Sequence, residues 1–363
     1  MNRLFIMGNG FDLAHGLPTS YQSFIDWYLL ESTKEFATSG NYEDPLMSIY
    51  FRYGGNSPLG LDKVDYGTGF YWLKTLTQHN RITVGFNSTI LENTLEKIEK
   101  YNWVDIEEEY FQLLSLQKTN PEEVINLNSE LVFLKSKLIE YINSIDIKVS
   151  NSNSDLLDIL FERINEEELL LPHEKEGDVA INYHFLNFNY TNTLQENYAI
   201  HSYVERAEIN FIHGNNQDNI VFGYGDEKDE KFKAFEEIKN NDLFKHVKSF
   251  DYLKSSNYSK VTKFIDADYF QGYILGHSCG LSDRTLLSQI FEHEKCVSIK
   301  LFYHQKEDGS NNFTDLTYDL SRHFSDKVLM RKKVVTFDLC APLPQCIEAV
   351  SYTHLTLPTT PYV

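Results

Sequence analysis

The stretch Arg3-Leu4-Phe5-Ile6-Met7-Gly8-Asn9-Gly10-Phe11-Asp12 decides the fold. A short apolar run over residues 3–7 is broken by a Gly-Asn-Gly turn, and an amphipathic segment follows over residues 20–32. A continuous apolar run bounded by glycines is typical of a strand that is buried on both faces, as in a parallel sheet covered by helices. The order strand, tight turn, helix therefore predicts the start of an α/β fold.

Similar apolar runs occur mainly in the second half of the chain, at residues 185–188, 209–212, 273–275, 297–303 and 334–339. Between residues 33 and 181 the spacing is helical instead, most clearly at 90–101, 122–145 and 156–164. We predict a doubly wound, mostly parallel Rossmann-like α/β sheet with a large helical insertion after its first strand and helix. The core would comprise residues 1–32 and 182–340, and the insertion residues 33–181.

The composition of the chain limits the classes of partner that it can bind. The chain has 363 residues, of which 42% are hydrophobic, and 33 Lys and Arg against 53 Asp and Glu give a formal net charge of -20. This charge disfavours direct nucleic-acid binding and attraction to anionic lipid. Since there is no long apolar run and no paired cysteine motif, we expect a cytoplasmic protein with reduced thiols and no membrane partner.

The end of the chain is set apart from the fold. Val350-Ser351-Tyr352-Thr353-His354-Leu355 reads like a translated sequencing adaptor. We therefore expect residues 346–363 to be a non-native tail; the alternative is a genuine Pro- and Thr-rich disordered end.

Gly8-Asn9-Gly10-Phe11-Asp12 is the first candidate binding element. Glycines let the backbone approach a ligand, and the start of a helix favours an anion such as a phosphate. The motif departs from the dinucleotide pattern G-x-G-x-x-G, because Leu13 stands in place of the third glycine. A plain structural turn is the alternative.

Two further polar side chains follow apolar runs. Asn189 follows the run at 185–188, and His213 follows the run at 209–212. Because ligands bind at the carboxyl ends of strands in open α/β sheets, Asn189 could orient a water or a ribose hydroxyl, and His213 could act as a general base. A turn asparagine and a structural histidine are the alternatives.

The segment Gly276-His277-Ser278-Cys279-Gly280 matches the G-x-S-x-G pattern and precedes Asp283. In a serine hydrolase this motif would hold Ser278 on a strained strand-to-helix turn, with an acid and a histidine later in the chain. A phosphate- or ribose-binding turn is the other interpretation.

Asp105 and Glu107 form a less promising pair. Side chains two residues apart on a helix do not share a face, so we interpret this segment as part surface and part core.

The order of these motifs is more specific than any one of them. The glycine motif at residues 8–12, the segments 16–21 and 187–191, His213-Gly214, the segment 223–226 and the segment 276–283 follow one another along the chain. Together they resemble the AbiH family of bacteriophage abortive infection proteins, over residues 1–303, with a loose match through the insertion. The resemblance implies a role in bacterial antiphage defence.

The same order is more distantly similar to sirtuin-like NAD-consuming domains. That resemblance implies that Gly8 and Gly10 hold a diphosphate, that Asn189 holds water or ribose, and that His213 accepts a ribose hydroxyl proton. Gly276 and Ser278 would line the adenosine side. Asn9 and Thr191 depart from that pattern, where alanine and aspartate are usual; the missing charge could come from Asp12.

We therefore expect a protein that binds NAD or a related nucleotide and hydrolyses its N-glycosidic bond upon phage infection. The expected catalytic residues are Asn189 and His213. The expected binding residues are Gly8, Asn9, Gly10, Phe11, Asp12, Gly276, Ser278 and Asp283. The alternatives are a serine hydrolase that uses Ser278 and a non-catalytic, nucleotide-responsive defence scaffold. A phage or host protein is the expected trigger. Both a monomer and a homo-oligomer are compatible with the sequence.

Overall fold

A computed structural model describes residues 1–52, 64, 67–101, 104–148, 154–169, 171–173, 177–215 and 220–346. Among these residues the strands are β1 Asn2–Met7, β2 Asn41–Glu43, β3 Met47–Phe51, β4 Ile82–Phe86, β5 Tyr183–Asn187, β6 Ala207–Phe211, β7 Phe270–Leu275, β8 Cys296–Tyr303 and β9 Ala341–Pro342. The helices are α1 Asn9–Ala14, α2 Tyr21–Ser39, α3 Gly69–Thr77, α4 Thr89–Tyr101, α5 Ile106–Gln117, α6 Pro121–Ser144, α7 Ser154–Leu160, α8 Thr193–Asn197, α9 Ile200–Tyr203, α10 Glu230–Glu237, α11 Lys248–Tyr252, α12 Asn257–Ala267, α13 Arg284–Glu292, α14 Phe313–Ser321 and α15 Lys327–Lys333.

Six of the strands form one parallel sheet in the order β6-β5-β1-β7-β8-β9. Counted within this sheet, the order is 3-2-1-4-5-6, as in sheets that bind dinucleotides. The predicted α/β fold with a mostly parallel, Rossmann-like sheet is confirmed. β1 lies in the middle, between β5 and β7, where the direction of winding reverses.

Apolar clusters lie on both faces of the sheet, which explains why its central strands are mostly apolar. Leu4 and Ile6 of β1 belong to an apolar cluster that includes residues of α12, α13 and α14. Phe5 and Met7 belong to another cluster, which includes residues of α7, α8 and α9. Because successive side chains of a strand point to opposite faces, each face must be apolar.

The insertion contains more than the predicted helices. Helices α4, α6 and α7 confirm the three helical segments predicted within it. In addition, β2, β3 and β4 form an antiparallel sheet that the sequence analysis did not predict. Helix α2 ends at Ser39, beyond the boundary expected at residue 32.

The end of the core differs from the prediction in one strand. The apolar run at 334–339 forms no strand; only Val334 makes a bridge to Ile299, and β9 follows at Ala341–Pro342. The run ends in a short 3-10 helix over Phe337–Leu339, whose backbone hydrogen bonds lie within the helix instead of on β8. Of the suspected tail, Cys346 is described and residues 347–363 lie outside the described residues.

Candidate functional site

A cavity of about 800 Å³ opens at the carboxyl ends of the parallel strands. It lies beside the loops that follow β1, β5 and β7, where the winding of the sheet reverses and where α/β proteins of this order bind ligands. Nine of the ten predicted site residues line it: Gly8, Asn9, Gly10, Asp12, Asn189, His213, Gly276, Ser278 and Asp283. The tenth, Phe11, belongs to the apolar cluster beneath the loop. Tertiary structure thus brings four distant segments to one cavity.

The glycines after β1 and β7 allow two loops to touch. The amide of Gly10 donates a 2.7 Å hydrogen bond to the carbonyl of Gly276. A Cβ on Gly8 would lie 2.6 Å from the Cα of His277, and Gly276 has a φ of +69°. Because the amides of Gly8, Gly10 and Phe11 all donate to protein carbonyls, close backbone packing accounts for these glycines. Their contact with a phosphate stays a prediction.

His213 and Asp283 form a buried acid–imidazole pair. Nε2 of His213 lies 3.1 Å from Oδ1 of Asp283 and 3.2 Å from the hydroxyl of Tyr252. Burial and the nearby Lys248 lower the pKa of His213, although Asp283 opposes them. The imidazole is therefore neutral at pH 7 and can accept a proton.

Lys248 keeps the carboxylate of Asp283 ionised. Its Nζ is fully buried and lies 2.9 Å from Oδ1 of Asp283 and 2.9 Å from Oε2 of Glu107. Burial alone would raise the pKa of Asp283, but Lys248, His213 and His277 outweigh burial and hold that pKa well below its usual range. Asp283 is thus an ionised acceptor that can only take hydrogen bonds, and it orients His213.

Glu107 brings the insertion into the site. Its Oε1 accepts a 2.9 Å hydrogen bond from the amide of Gly223, and its Oε2 accepts one from Lys248. Burial raises the pKa of Glu107, with Lys248 opposing. Asp105 caps α5 by accepting from the amides of Glu107 and Glu108, so it lies outside the helix. Because Asp105 precedes the helix, the spacing rule for helical side chains does not apply to this pair, and both residues line the cavity.

Asp12 is another buried carboxylate, in helix α1 directly after β1. It is 1% exposed, and its Oδ2 accepts a 2.6 Å hydrogen bond from the Thr191 hydroxyl. Its Oδ1 has no hydrogen-bond partner among the described residues. Burial raises the pKa of Asp12 to about 6, although hydrogen bonds from Thr191 and neighbouring polar side chains oppose the rise.

Asn189 joins the loops after β1 and β5. Its side-chain amide donates a 3.0 Å hydrogen bond to the carbonyl of Gly8, and its backbone amide donates to Oδ1 of Asn187 at 2.9 Å. These bonds fix the side chain at the cavity wall. Its Oδ1 is an acceptor of the kind that binds water or a sugar hydroxyl.

Ser278 has the exposure but not the surroundings of a hydrolase nucleophile. Its side chain is exposed, and no histidine hydrogen-bonds to it in the described part of the chain. The non-glycine residue with a positive φ is Cys279, at 55°, rather than Ser278. His277 accepts a hydrogen bond from the Cys279 amide. Among the described residues, no hydrogen bond joins His277 to the Ser278 side chain.

Lys248 and Glu107 are the site residues that sequence reasoning missed. The close spacing of Asp105 and Glu107 was a usable signal, had a helix start been considered between them. Lys248 carried no signal, because a lone lysine in a polar stretch is ordinarily exposed.

The charge of the cavity is unusual for a nucleotide site. Its described lining contains six carboxylates and three histidines, and no lysine or arginine among the residues that face it. Lys248 lies behind this wall. In the described ranges, no three His, Cys, Asp or Glu side chains are grouped to hold a metal ion, and no helix there is long and apolar enough to cross a bilayer.

The sheet order and the cavity at its carboxyl edge define a Rossmann-type α/β protein with a cavity at the switch point. The chain belongs to the family described as "Bacteriophage abortive infection AbiH", whose family model matches residues 4–305. It is therefore a bacteriophage abortive infection protein. No curated protein and no solved structure matches the chain.

Proposed function

We propose that this AbiH protein binds NAD or a related nucleotide and hydrolyses its N-glycosidic bond in response to phage infection. One observation carries the proposal: Asn189 and the His213–Asp283 pair line one cavity at the switch point of a dinucleotide-type sheet. The cavity volume of about 800 Å³ lies within the range of about 300–1,000 Å³ that holds small-molecule ligands.

In this proposal, His213 accepts a proton from a ribose hydroxyl. Because ionised Asp283 can only accept a hydrogen bond, Nε2 of the neutral imidazole carries the hydrogen that faces it. Asn189 holds water or the ribose beside the reacting carbon, with its side chain fixed by the Gly8 carbonyl. The pyridinium ring of NAD is cationic, which suits a wall rich in carboxylates.

The test measures nicotinamide release from NAD by the purified full chain, with and without phage lysate, and intracellular NAD after infection. We expect release by the wild type and a loss of about 10²-fold or more in His213→Ala and Asn189→Ala. His293→Ala is the matched control, because His293 pairs with Asp266 at 3.0 Å outside the cavity; it should keep wild-type turnover.

Two outcomes overturn the proposal at different levels. Retained turnover in both His213→Ala and Asn189→Ala removes these residues from the chemistry. Unchanged NAD in infected cells, with no nicotinamide released in vitro, removes NAD hydrolysis as the function.

The second candidate is a nucleotide-responsive scaffold without turnover. The wall without lysine or arginine, and glycine-loop amides that already donate to protein carbonyls, offer little to a diphosphate, so this candidate predicts weak nucleotide binding. A measurable dissociation constant for NAD without nicotinamide release would support it. The serine hydrolase alternative is tested by a fluorophosphonate probe: labelling that disappears in Ser278→Ala would support it.

A further inference from the structure

Two tyrosines line the cavity beside the His213–Asp283 pair. Tyr190 lies in the loop after β5, next to Asn189, and Tyr21 is the first residue of α2. Both side chains are half-buried and both line the cavity, so a molecule in the cavity can contact their rings. The proposed hydrolysis assigns no step to either ring. Aromatic side chains that line a ligand cavity ordinarily bind flat apolar or cationic groups.

The ring of Tyr190 is held next to His213. Its hydroxyl donates a 3.0 Å hydrogen bond to the carbonyl of Val221. The ring centres of Tyr190 and His213 lie 6.1 Å apart, with 32° between their planes. In NAD the pyridinium nitrogen is bonded to the anomeric carbon of the ribose. A ribose held by Asn189 and His213 therefore brings the pyridinium ring to the neighbouring wall, where Tyr190 lies.

Tyr21 supplies a second ring close to Tyr190. It lies edge-on to Phe222, with ring centres 6.2 Å apart. Burial, followed by Glu107 and Tyr190, raises the pKa of Tyr21 well above its usual value. Burial and then Glu107 raise the pKa of Tyr190 in the same way. Both phenols are therefore neutral at pH 7, and their mutual influence shows that they share one part of the wall.

The surroundings of the two rings favour a cation. After burial, the groups that act on both phenols include the carboxyls of Asp105, Glu107 and Asp283. The ammonium of Lys248 is fully buried and lies 2.9 Å from Glu107 and from Asp283, so it is not presented to the cavity. The face of an aromatic ring attracts a cation through its quadrupole, and carboxyl oxygens attract it as well. A flat cationic ring is thus the group that this part of the wall suits best.

We propose that Tyr190, with Tyr21 beside it, is a specificity-determining residue that selects a cationic pyridinium ring over a neutral dihydropyridine ring, through contact with the face of the phenol. This inference rests on the proposed function for the class of ligand. It identifies the part of the nucleotide that the site recognises, namely the oxidised ring with its ribose. NAD is then bound in preference to NADH, whose ring carries no charge to interact with the aromatic face.

The test compares the binding of three ligands to the full chain by calorimetric titration: a carbocyclic NAD analogue, NADH and ADP-ribose. The carbocyclic analogue keeps the cationic pyridinium ring but has carbon in place of the ribose ring oxygen, so it cannot form an oxocarbenium ion and is not hydrolysed. We expect the wild type to bind the analogue about tenfold more tightly than NADH, and Tyr190→Leu to reduce that preference to about threefold or less.

ADP-ribose shows which ring of the nucleotide contacts Tyr190. It keeps the adenine but lacks the pyridinium ring, so its dissociation constant should change by less than about twofold in Tyr190→Leu. Tyr190→Phe keeps the ring and loses the hydrogen bond to Val221; its preference for the analogue should stay within about twofold of the wild type.

Tyr203→Leu is the matched control. Tyr203 is 56% exposed and stacks on Phe161, with ring centres 5.6 Å apart, outside the cavity lining. It should keep the wild-type dissociation constants. Circular dichroism checks that each variant is folded. If Tyr190→Leu is unfolded, Tyr21→Leu replaces it and should likewise reduce the preference for the cationic ring.

Three results would overturn the inference. Equal affinity of the wild type for the carbocyclic analogue and NADH would do so without any variant. An unchanged preference in folded Tyr190→Leu would do the same. An equal loss of affinity for ADP-ribose and the analogue would show that the ring contacts adenine instead.

The two proposals fail separately. If the wild type releases nicotinamide from NAD but binds the analogue and NADH equally, selection by Tyr190 falls and NAD hydrolysis stands. If no nicotinamide is released while the preference for the analogue is present and depends on Tyr190, hydrolysis falls and recognition of the cationic ring stands.

Discussion

Lys248 donates a hydrogen bond of 2.9 Å to Glu107, which lies 141 residues earlier in the chain. Glu107 belongs to α5 of the insertion, whereas the second partner of Lys248, Asp283, follows β7 of the core sheet. One fully buried ammonium group therefore joins the insertion to the His213–Asp283 pair. The insertion sets the charge of the site in addition to covering it.

Replacing Lys248 by methionine should destabilise the protein. The change leaves the carboxylates of Glu107 and Asp283 buried without their cation, so we expect a loss of roughly 3–5 kcal/mol in the free energy of unfolding. Urea denaturation followed by circular dichroism measures the loss. Lys254→Met is the control: Lys254 is 70% exposed, and its ion pair with Asp251 should contribute little. Equal losses in the two variants would contradict the bridging role.

Glu107→Gln should leave the titration of His213 unchanged. Burial raises the pKa of Glu107 to about 8, whereas the pKa of His213 is lowered below its usual value, so Glu107 carries a proton over the range in which His213 titrates. Glutamine then replaces a neutral side chain, and imidazole ¹⁵N chemical shifts across a pH series should give the wild-type pKa. Glu122→Gln, in the first turn of α6, is the exposed control. A fall in the pKa of His213 in Glu107→Gln alone would show that Glu107 is ionised in that range.

Asp12→Asn should gain stability at neutral pH. Burial raises the folded-state pKa of Asp12 from 3.8 to about 6, so the folded protein binds the proton more tightly than the unfolded chain does. Stability from this group is present below about pH 4 and is lost as the pH rises through 6. By linkage the gain in the variant is about 3 kcal/mol at most.

Thermal unfolding at two pH values measures that gain. The midpoint of Asp12→Asn should exceed that of the wild type at pH 7.5, and the difference should shrink toward pH 4. A lower midpoint in the variant at pH 7.5 would show that the carboxylate of Asp12 stabilises the fold instead.

Gly276→Ala should disrupt the contact between the loops after β1 and β7. A Cβ at Gly276 would lie 2.1 Å from the amide nitrogen of Phe11, and the residue has a φ of +69°. Strain and overlap together should cost at least about 3 kcal/mol in the free energy of unfolding. Gly309→Ala is the matched control, because Gly309 has a φ of +83° and open space around it; only strain of roughly 1–2 kcal/mol is expected there. Chemical denaturation of both variants makes the comparison, and similar losses would argue against the loop contact.

The sequence pattern was sufficient to predict a strand where most residues of that strand are buried. The run at 3–7 predicted β1, because a strand covered on both faces is mostly apolar, and the same reasoning located β5, β7 and β8. The apolar run at 209–212 located the partly buried edge strand β6. The antiparallel sheet of β2 to β4 escaped this reasoning. Its strands are short and only partly buried, so they show no continuous apolar run.

The sequence by itself determined the sheet, the glycine turns and the placing of Asn189, His213 and Ser278 after strands, because these follow from side-chain periodicity within a few residues. Only the tertiary structure decided that Glu107 and Lys248 reach the site, and that Asp12 is buried with its Oδ2 held by Thr191. The physical reason is that pairing of buried charges depends on distances between atoms of residues more than a hundred positions apart. The spacing of residues along the sequence does not predict those distances.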